Sequence, residues 1–162
     1  MNFNIMKKLL IISSVLAICV GVILILGGAW GIMLTNQNVA REKIVTPEDA
    51  SIPNKPVRDP MTLKAQADVI RKHVLNTTNG KTFAEMPQQV AKLDASGSAV
   101  IGKDGKPEMI PNAARNIWVT ATTLTTALNL GIIAYLISGL TILFGLSSIW
   151  VGVVFGALSK KY

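Results

Sequence analysis

From Asn116 to Ser159 the chain runs for 44 residues without a charged side chain. Few folds accept such a stretch. A helix needs only about 20 apolar residues to cross the ~30 Å hydrocarbon core of a bilayer, so the run holds one crossing and a surplus. The surplus, 117–128, carries five threonines, yet Ile117, Ala121, Leu124 and Leu128 recur at helical spacing. The reading is one long helix, with a stalk over 116–128, an apolar span over 129–158 and a short tail over 159–162. Steps of three and four residues along the span give Gly131, Ala134, Ser138, Thr141, Gly145, Ser148 and Gly152, seven small residues on one heptad seam. Such a stripe lets another helix backbone approach closely in lipid, where packing and dispersion drive association.

A second span lies near the N-terminus. After a head over 1–8 that ends in Lys7-Lys8, the 26 residues of 9–34 carry no charge. At ~1.5 Å per residue that is about 39 Å of helix. A cleaved signal peptide has an apolar region of only ~7–15 residues and an Ala-x-Ala-like site. Gly27-Gly28-Ala29-Trp30 fits that site poorly, so a retained anchor is expected. This span has its own small seam, Ser14, Ala17, Gly21, Gly28 and Gly31, interrupted only by Leu24. Lys7-Lys8 and Lys160-Lys161 flank the spans, and positive flanks stay cytoplasmic. The expectation is a two-helix transmembrane hairpin with both termini inside. Aligning the lysine pairs by depth sets Gly21 near Ser148, Gly28 near Thr141 and Gly31 near Ser138. Packing within one chain is the first reading of the seams. Homodimerisation and docking onto a larger membrane protein are the others.

The net charge of +7 does not mark a nucleic-acid surface. All nine acids lie between Arg41 and Arg115 with twelve of the sixteen basic residues, and aromatics are not interleaved with them. Half the residues are apolar and 15% charged, unlike an average soluble domain. Cys19 is the one cysteine, which excludes an intrachain disulfide. A lipoprotein site needs a small residue before the cysteine. Ile18 stands there, so Cys19 reads as a small packing hydrophobe.

Residues 35–115 form the insert, expected outside the cytoplasm and mostly helical, so that the whole chain is an all-α membrane protein. Pro47, Pro53, Pro56 and Pro60 make 35–60 an extended arm. Asp59 as N-cap and Pro60 as first residue open a helix over about 60–76. Leu63, Ala67, Ile70 and Val74 share one face, with Lys64, Asp68, Arg71 and Lys72 opposite. Asn79-Gly80 closes this helix. Thr82 to Glu85 reads as a capping box for a shorter helix over about 83–93, in which Pro87 near the start is tolerable. Val100-Ile101 and Asp104-Gly105 suggest a hairpin over about 98–110, because Asp-Gly favours a type I′ turn; a disordered tip is the alternative. Trp30 and Trp118 are candidates for interfacial positions.

Catalytic signals are sparse. His73 is the one histidine, and no cluster with metal-ligand spacing exists. No glycine-rich phosphate loop follows a strand. No cofactor is expected. His73 with Asp68, Arg71 and Lys72 forms the candidate partner surface, and its titration near neutrality offers a pH-sensitive contact. The same basic face could lie on anionic headgroups.

The segments Glu42-Lys43-Ile44-Val45-Thr46-Pro47-Glu48-Asp49-Ala50, Lys55-Pro56-Val57-Arg58-Asp59-Pro60, Ala65 to His73 and Asn79 to Glu85 resemble a family of small two-span actinobacterial membrane proteins. Many members carry the label "aromatic ring-opening dioxygenase". The resemblance covers about 44 residues and implies a bacterial plasma membrane and a cell-envelope setting. Extradiol ring cleavage uses two histidines and a carboxylate on iron, which one chain with His73 alone cannot supply. The expected function is therefore a non-enzymatic accessory or scaffold protein whose insert binds another membrane or envelope protein, or a second copy. The alternatives are a metal-free subunit of a ring-cleaving oxygenase and a small pore-forming protein.

Overall fold

The computed structural model describes residues 3–161. Three helices dominate: α1 (Phe3–Arg41), α2 (Pro60–Thr77) and α3 (Ala113–Ser159). Two three-residue strands, β1 (Gln89–Ala91) and β2 (Met109–Pro111), pair antiparallel. The chain divides into two compact units. One holds residues 3–45, 56–61 and 130–161; the other holds 46–55 and 62–129.

In the first unit, α1 and the second part of α3 run antiparallel, with Ser14 beside Gly152 and Gly31 beside Ser138. α1 is longer than expected. It continues through 35–41, where an extended arm was expected to begin. Thr35 Oγ1 bonds back to the Gly31 carbonyl at 2.8 Å, and Gln37, Ala40 and Arg41 are adequate helix formers. The first proline comes only at 47. The helix ends where Glu42 and Lys43 bond to carbonyls three residues back and Lys43 turns left-handed, φ 51°. A short arm comes next: Val45 bridges Pro56, and Val57, 1% exposed, donates to the Ile44 carbonyl. The Arg58 carbonyl is held by Asn36 Nδ2 at 3.0 Å and by the Tyr135 hydroxyl. Asp59 Oδ1 caps the start of α2 through the Met61 amide at 2.9 Å.

In the second unit, Val74, Met86, Trp118 and Ala121 form a core, with Ile70, Leu75 and Ala114 packed around it. The buried surface of α2 is wider than the expected stripe. Ala65 and Val69 are buried beside Leu63, Ala67 and Val74. α2 stops at left-handed Asn79 and Gly80, where the Gly80 amide reaches the Leu75 carbonyl at 2.8 Å. On the part of α3 within this unit the buried positions are Trp118, Ala121 and Leu128. Ile117 and Leu124 of the expected stripe stay about half exposed, at 45% and 48%. Thr120, Thr123 and Thr125 bond back to carbonyls four residues earlier, so their hydroxyls find acceptors within the helix.

The expected helix over 83–93 is a single 3-10 turn, Phe83–Glu85. The capping box forms, with Glu85 Oε2 accepting from the Thr82 amide at 2.7 Å. Pro87 then pushes Met86 into extended backbone, φ −94° and ψ 136°, which ends the turn. Residues 89–91 become β1 instead.

The hairpin expected over 98–110 is also different: three short arms meet in a ring. The Lys92 amide donates to Glu108, the Glu108 amide to Val100, and the Val100 amide to Lys92, each at 2.8 Å. The first arm is β1/β2. The second pairs Leu93 with Ala99, and the third pairs Ile101 with Pro107. Gly97 and Gly105, φ 83° and 76°, each follow a tight turn, the geometry of a three-residue loop ending in a glycine bulge. Asp104-Gly105 therefore does not make a type I′ turn, which would need positive φ at both central residues.

Candidate functional site

Ser14, Gly21, Gly28, Ser138, Gly145 and Gly152 of the seam are buried and the rest half-buried, because glycine removes the side chain that would hold the backbones apart. A Cβ on Gly21 would lie 2.6 Å from the Gly145 carbonyl oxygen, and one on Gly145 would lie 2.7 Å from that of Gly21. Gly28 meets the Ser138 carbonyl oxygen at 2.7 Å and Gly152 that of Ser14 at 2.9 Å on the same construction. A Cβ on Gly31 would strike Ser138 Oγ at 2.5 Å. Two hydroxyls bond between the helices: Ser14 Oγ to the Gly152 carbonyl at 2.7 Å and Ser148 Oγ to the Ala17 carbonyl at 2.8 Å. Thr141 instead bonds back to Ile137 of its own helix. Gly131 and Ala134 are half-buried.

Sequence reasoning missed the other half of this packing. Four of these glycines each receive an isoleucine from the facing helix: Ile149 over Gly21, Ile142 over Gly28, Ile25 over Gly145 and Ile18 over Gly152. These are knobs at heptad spacing set into glycine holes. Among so many leucines, valines and isoleucines their spacing carries no signal by itself. Gly27 and Gly139 face open space, so the structure separates packing glycines from the rest.

On the second unit, the four candidate surface residues already have partners within the chain. Asp68 pairs with Lys64. Lys72 Nζ and His73 Nε2 each lie 2.9 Å from Asp49 Oδ2. The His73 and Lys72 hydrogen bonds hold the Asp49 carboxyl down at about 2. The Arg71 guanidinium carbon sits 5.9 Å from the Trp118 ring centroid, within cation–π range. Asp49 is 24 residues from His73, and no local pattern joins them. Arg115 likewise carries no local signal. It stacks 3.7 Å from the centroid of Phe83 and donates to the Met86 carbonyl at 2.6 Å, tying the 3-10 turn to α3.

His73 also borders an open cleft of about 430 Å³, lined by Ile70, Val74, Thr77, Ile117, Thr120 and Leu124 among others. The lining is mostly apolar. Among the described residues no three His, Cys, Asp or Glu side chains converge as a metal site would need. No protein-family model, curated protein or solved structure matches the chain.

Proposed function

We propose that the chain is an integral membrane protein of the bacterial cell envelope, a non-catalytic accessory or scaffold that displays its insert outside the plasma membrane. The observation that carries this reading is the contrast between the two surfaces of the α1/α3 pair. The inner seam is closed by glycines, isoleucines and satisfied serines. The outer surface carries Leu16, Ile23, Phe144 and Trp150, each more than 60% exposed. Both helices exceed the length and hydropathy a span requires, and lipid is the solvent that such a surface fits. The lysine pairs at 7–8 and 160–161 favour cytoplasmic termini. The insert then carries every acidic residue in the chain and shares a folded core with Trp118 and Ala121 of the stalk. The resemblance of residues 42–85 to two-span actinobacterial proteins agrees with an envelope setting.

Alkaline carbonate extraction of cell membranes, joined to reporter fusions, tests the reading. The protein stays in the pellet, and an export-dependent reporter after Gly80 is active while one after Lys161 is silent. Release into the soluble fraction, or the reverse reporter pattern, refutes it. Iron analysis of the purified protein addresses the ring-cleavage label directly. Stoichiometric iron would replace the scaffold reading.

A further inference from the structure

Residues 91–109 contain a hidden eight-residue repeat. The ring residues Lys92, Val100 and Glu108 are spaced by eight, and so are Leu93, Ile101 and Met109 after them and Ala91, Ala99 and Pro107 before them. Strand side chains alternate between faces, and residues opposite each other in an antiparallel pair share a face. The pairs Ala91–Met109, Leu93–Ala99 and Ile101–Pro107 therefore all project to one side of the ring. Lys92 and Glu108 form an ion pair on the other side, at 3.0 Å. The result is a face of six apolar side chains, on which Leu93, Ile101 and Met109 are 62%, 58% and 50% exposed. Three arms that bury nothing on this face have no reason within the unit to keep it apolar.

The rim carries charge of both signs. The second arm tip, 94–98, carries Asp94 alone, and the third, 102–106, carries Lys103, Asp104 and Lys106. Hydrogen bonds from Ser96 and Ser98 hold the Asp94 carboxyl below its ordinary range, so that tip is anionic at neutral pH. One tip is negative and its neighbour net positive. A two-fold axis lying in the plane of the contact and running between the two tips sets each against its opposite on a second copy, as an isologous contact allows. The face is far smaller than the about 800 Å² a partner buries in a stable complex of soluble proteins. It suits chains already concentrated by a shared surface, as two anchored copies are. We infer that the three-armed β element is a self-association surface, through which two copies of this chain pack Leu93, Ile101 and Met109 face to face.

This inference rests on membrane anchoring for its effective concentration, and its test separates the two ideas. A chain released by carbonate would sink the anchoring, while the comparison of variants stays readable with concentrated protein. Full-length chains carrying donor or acceptor dyes on a C-terminal tag are reconstituted in vesicles at rising density, and energy transfer is measured. Wild type pairs specifically. Ile101→Lys, with unchanged thermal melting, needs about tenfold higher density, since burying an apolar side chain or an uncompensated charge is worth at least that factor. Asp94→Asn keeps the acceptor for Ser96 and Ser98 but removes the charge, and weakens pairing about two- to fivefold. If Ile101→Lys misfolds, Met109→Ser and Leu93→Ser replace it. Transfer no greater than random proximity in wild type overturns the inference. So does pairing that is indifferent to Ile101 and Met109, which would place the contact elsewhere. Ile101-dependent docking of these vesicles to protein-free phosphatidylcholine vesicles would make a lipid surface the occupant and also overturns it.

Discussion

Gly145 and Gly139 lie six residues apart on α3 and differ in one respect. A Cβ at Gly145 would meet the Gly21 carbonyl oxygen at 2.7 Å, Ile25 Cγ1 at 2.8 Å and the Ile25 amide at 3.0 Å; at Gly139 it would meet nothing within 4 Å. Two of the three obstacles are backbone and cannot rotate away, so the helices must separate by about 0.7 Å to restore ordinary contact. A gap of 0.5–1 Å forfeits roughly a quarter to a half of each dispersion contact, and overpacking of this kind costs about 1–3 kcal/mol. Gly→Ala in a helix interior also gains roughly 0.5–1 kcal/mol of propensity. That gain is common to Gly145→Ala and Gly139→Ala, so it cancels in their difference, which reads the seam alone. The expected difference is about 1–3 kcal/mol, with Gly139→Ala neutral or stabilising. Circular-dichroism melting in a mild detergent would show it as roughly 2–12 °C in Tm, at 2–4 °C per kcal/mol for a chain of this size. Equal shifts for the two variants would mean that the glycine seam does not hold the hairpin. Gly145→Ile extends the test: it should destabilise the fold itself, and an intact protein that had lost only a partner would assign the seam to another chain.

The two interhelix hydroxyls are separable from the glycines. Ser148→Ala and Ser14→Ala should each lower hairpin stability by about 0.6 kcal/mol and not more than about 1.7, read from the same melts. The Asp49 clasp on α2 is acid-labile. Its carboxyl is lowered from 3.8 to about 2, so its contribution is fully present above pH 4 and is lost as pH falls toward 2. Hydrogen exchange across 46–55 should accelerate over that window in wild type and be fast and pH-insensitive in Asp49→Asn, after correction for intrinsic rates. Gly105→Ala forces a side chain into φ 76° and should cost about 1–2 kcal/mol, seen as lost protection of the Gly102 amide. Arg115→Ala removes both the Phe83 stack and the Met86 carbonyl bond; proteolysis near 83–88 should rise while α3 remains helical.

Much of the helical framework is readable from local pattern, because helix length and apolar runs are written in consecutive residues. The body of α3 follows from the uncharged run; its start at Ala113, three residues earlier than the run, is set by Asn112, whose Oδ1 accepts the Ala114 amide at 3.0 Å. The end of α1 was less legible. Charge and apolarity change at Leu34, but the backbone has no reason to leave the helix until Lys43. The region 83–111 misled for a related reason. Thr82 and Glu85 do make a local cap, whereas Pro87 and pairing with Met109–Pro111 decide the path of the chain beyond Met86. A strand partner 20 residues away leaves no mark within the window that suggested a helix. The four charged residues on α2 were legible as a polar face, but Asp49, which engages Lys72 and His73, and Trp118, which engages Arg71, come from distant segments.

By itself the sequence determined two long apolar helices, the small residues on each and the absence of charge over 9–34 and 116–159. These are properties of composition and period, which a helix turns directly into a surface. The three-four steps set Gly28 and Gly145 apart from Gly27 and Gly139, but only the tertiary structure supplied what each faces, a second backbone 2.7 Å from where a Cβ would stand and an isoleucine laid over the gap. It also decided that 91–109 is a ring of three arms with its apolar side chains on one face. Hydrogen bonds among Lys92, Val100 and Glu108 are long-range, and an eight-residue repeat of dissimilar side chains becomes visible only when the backbone closes on itself.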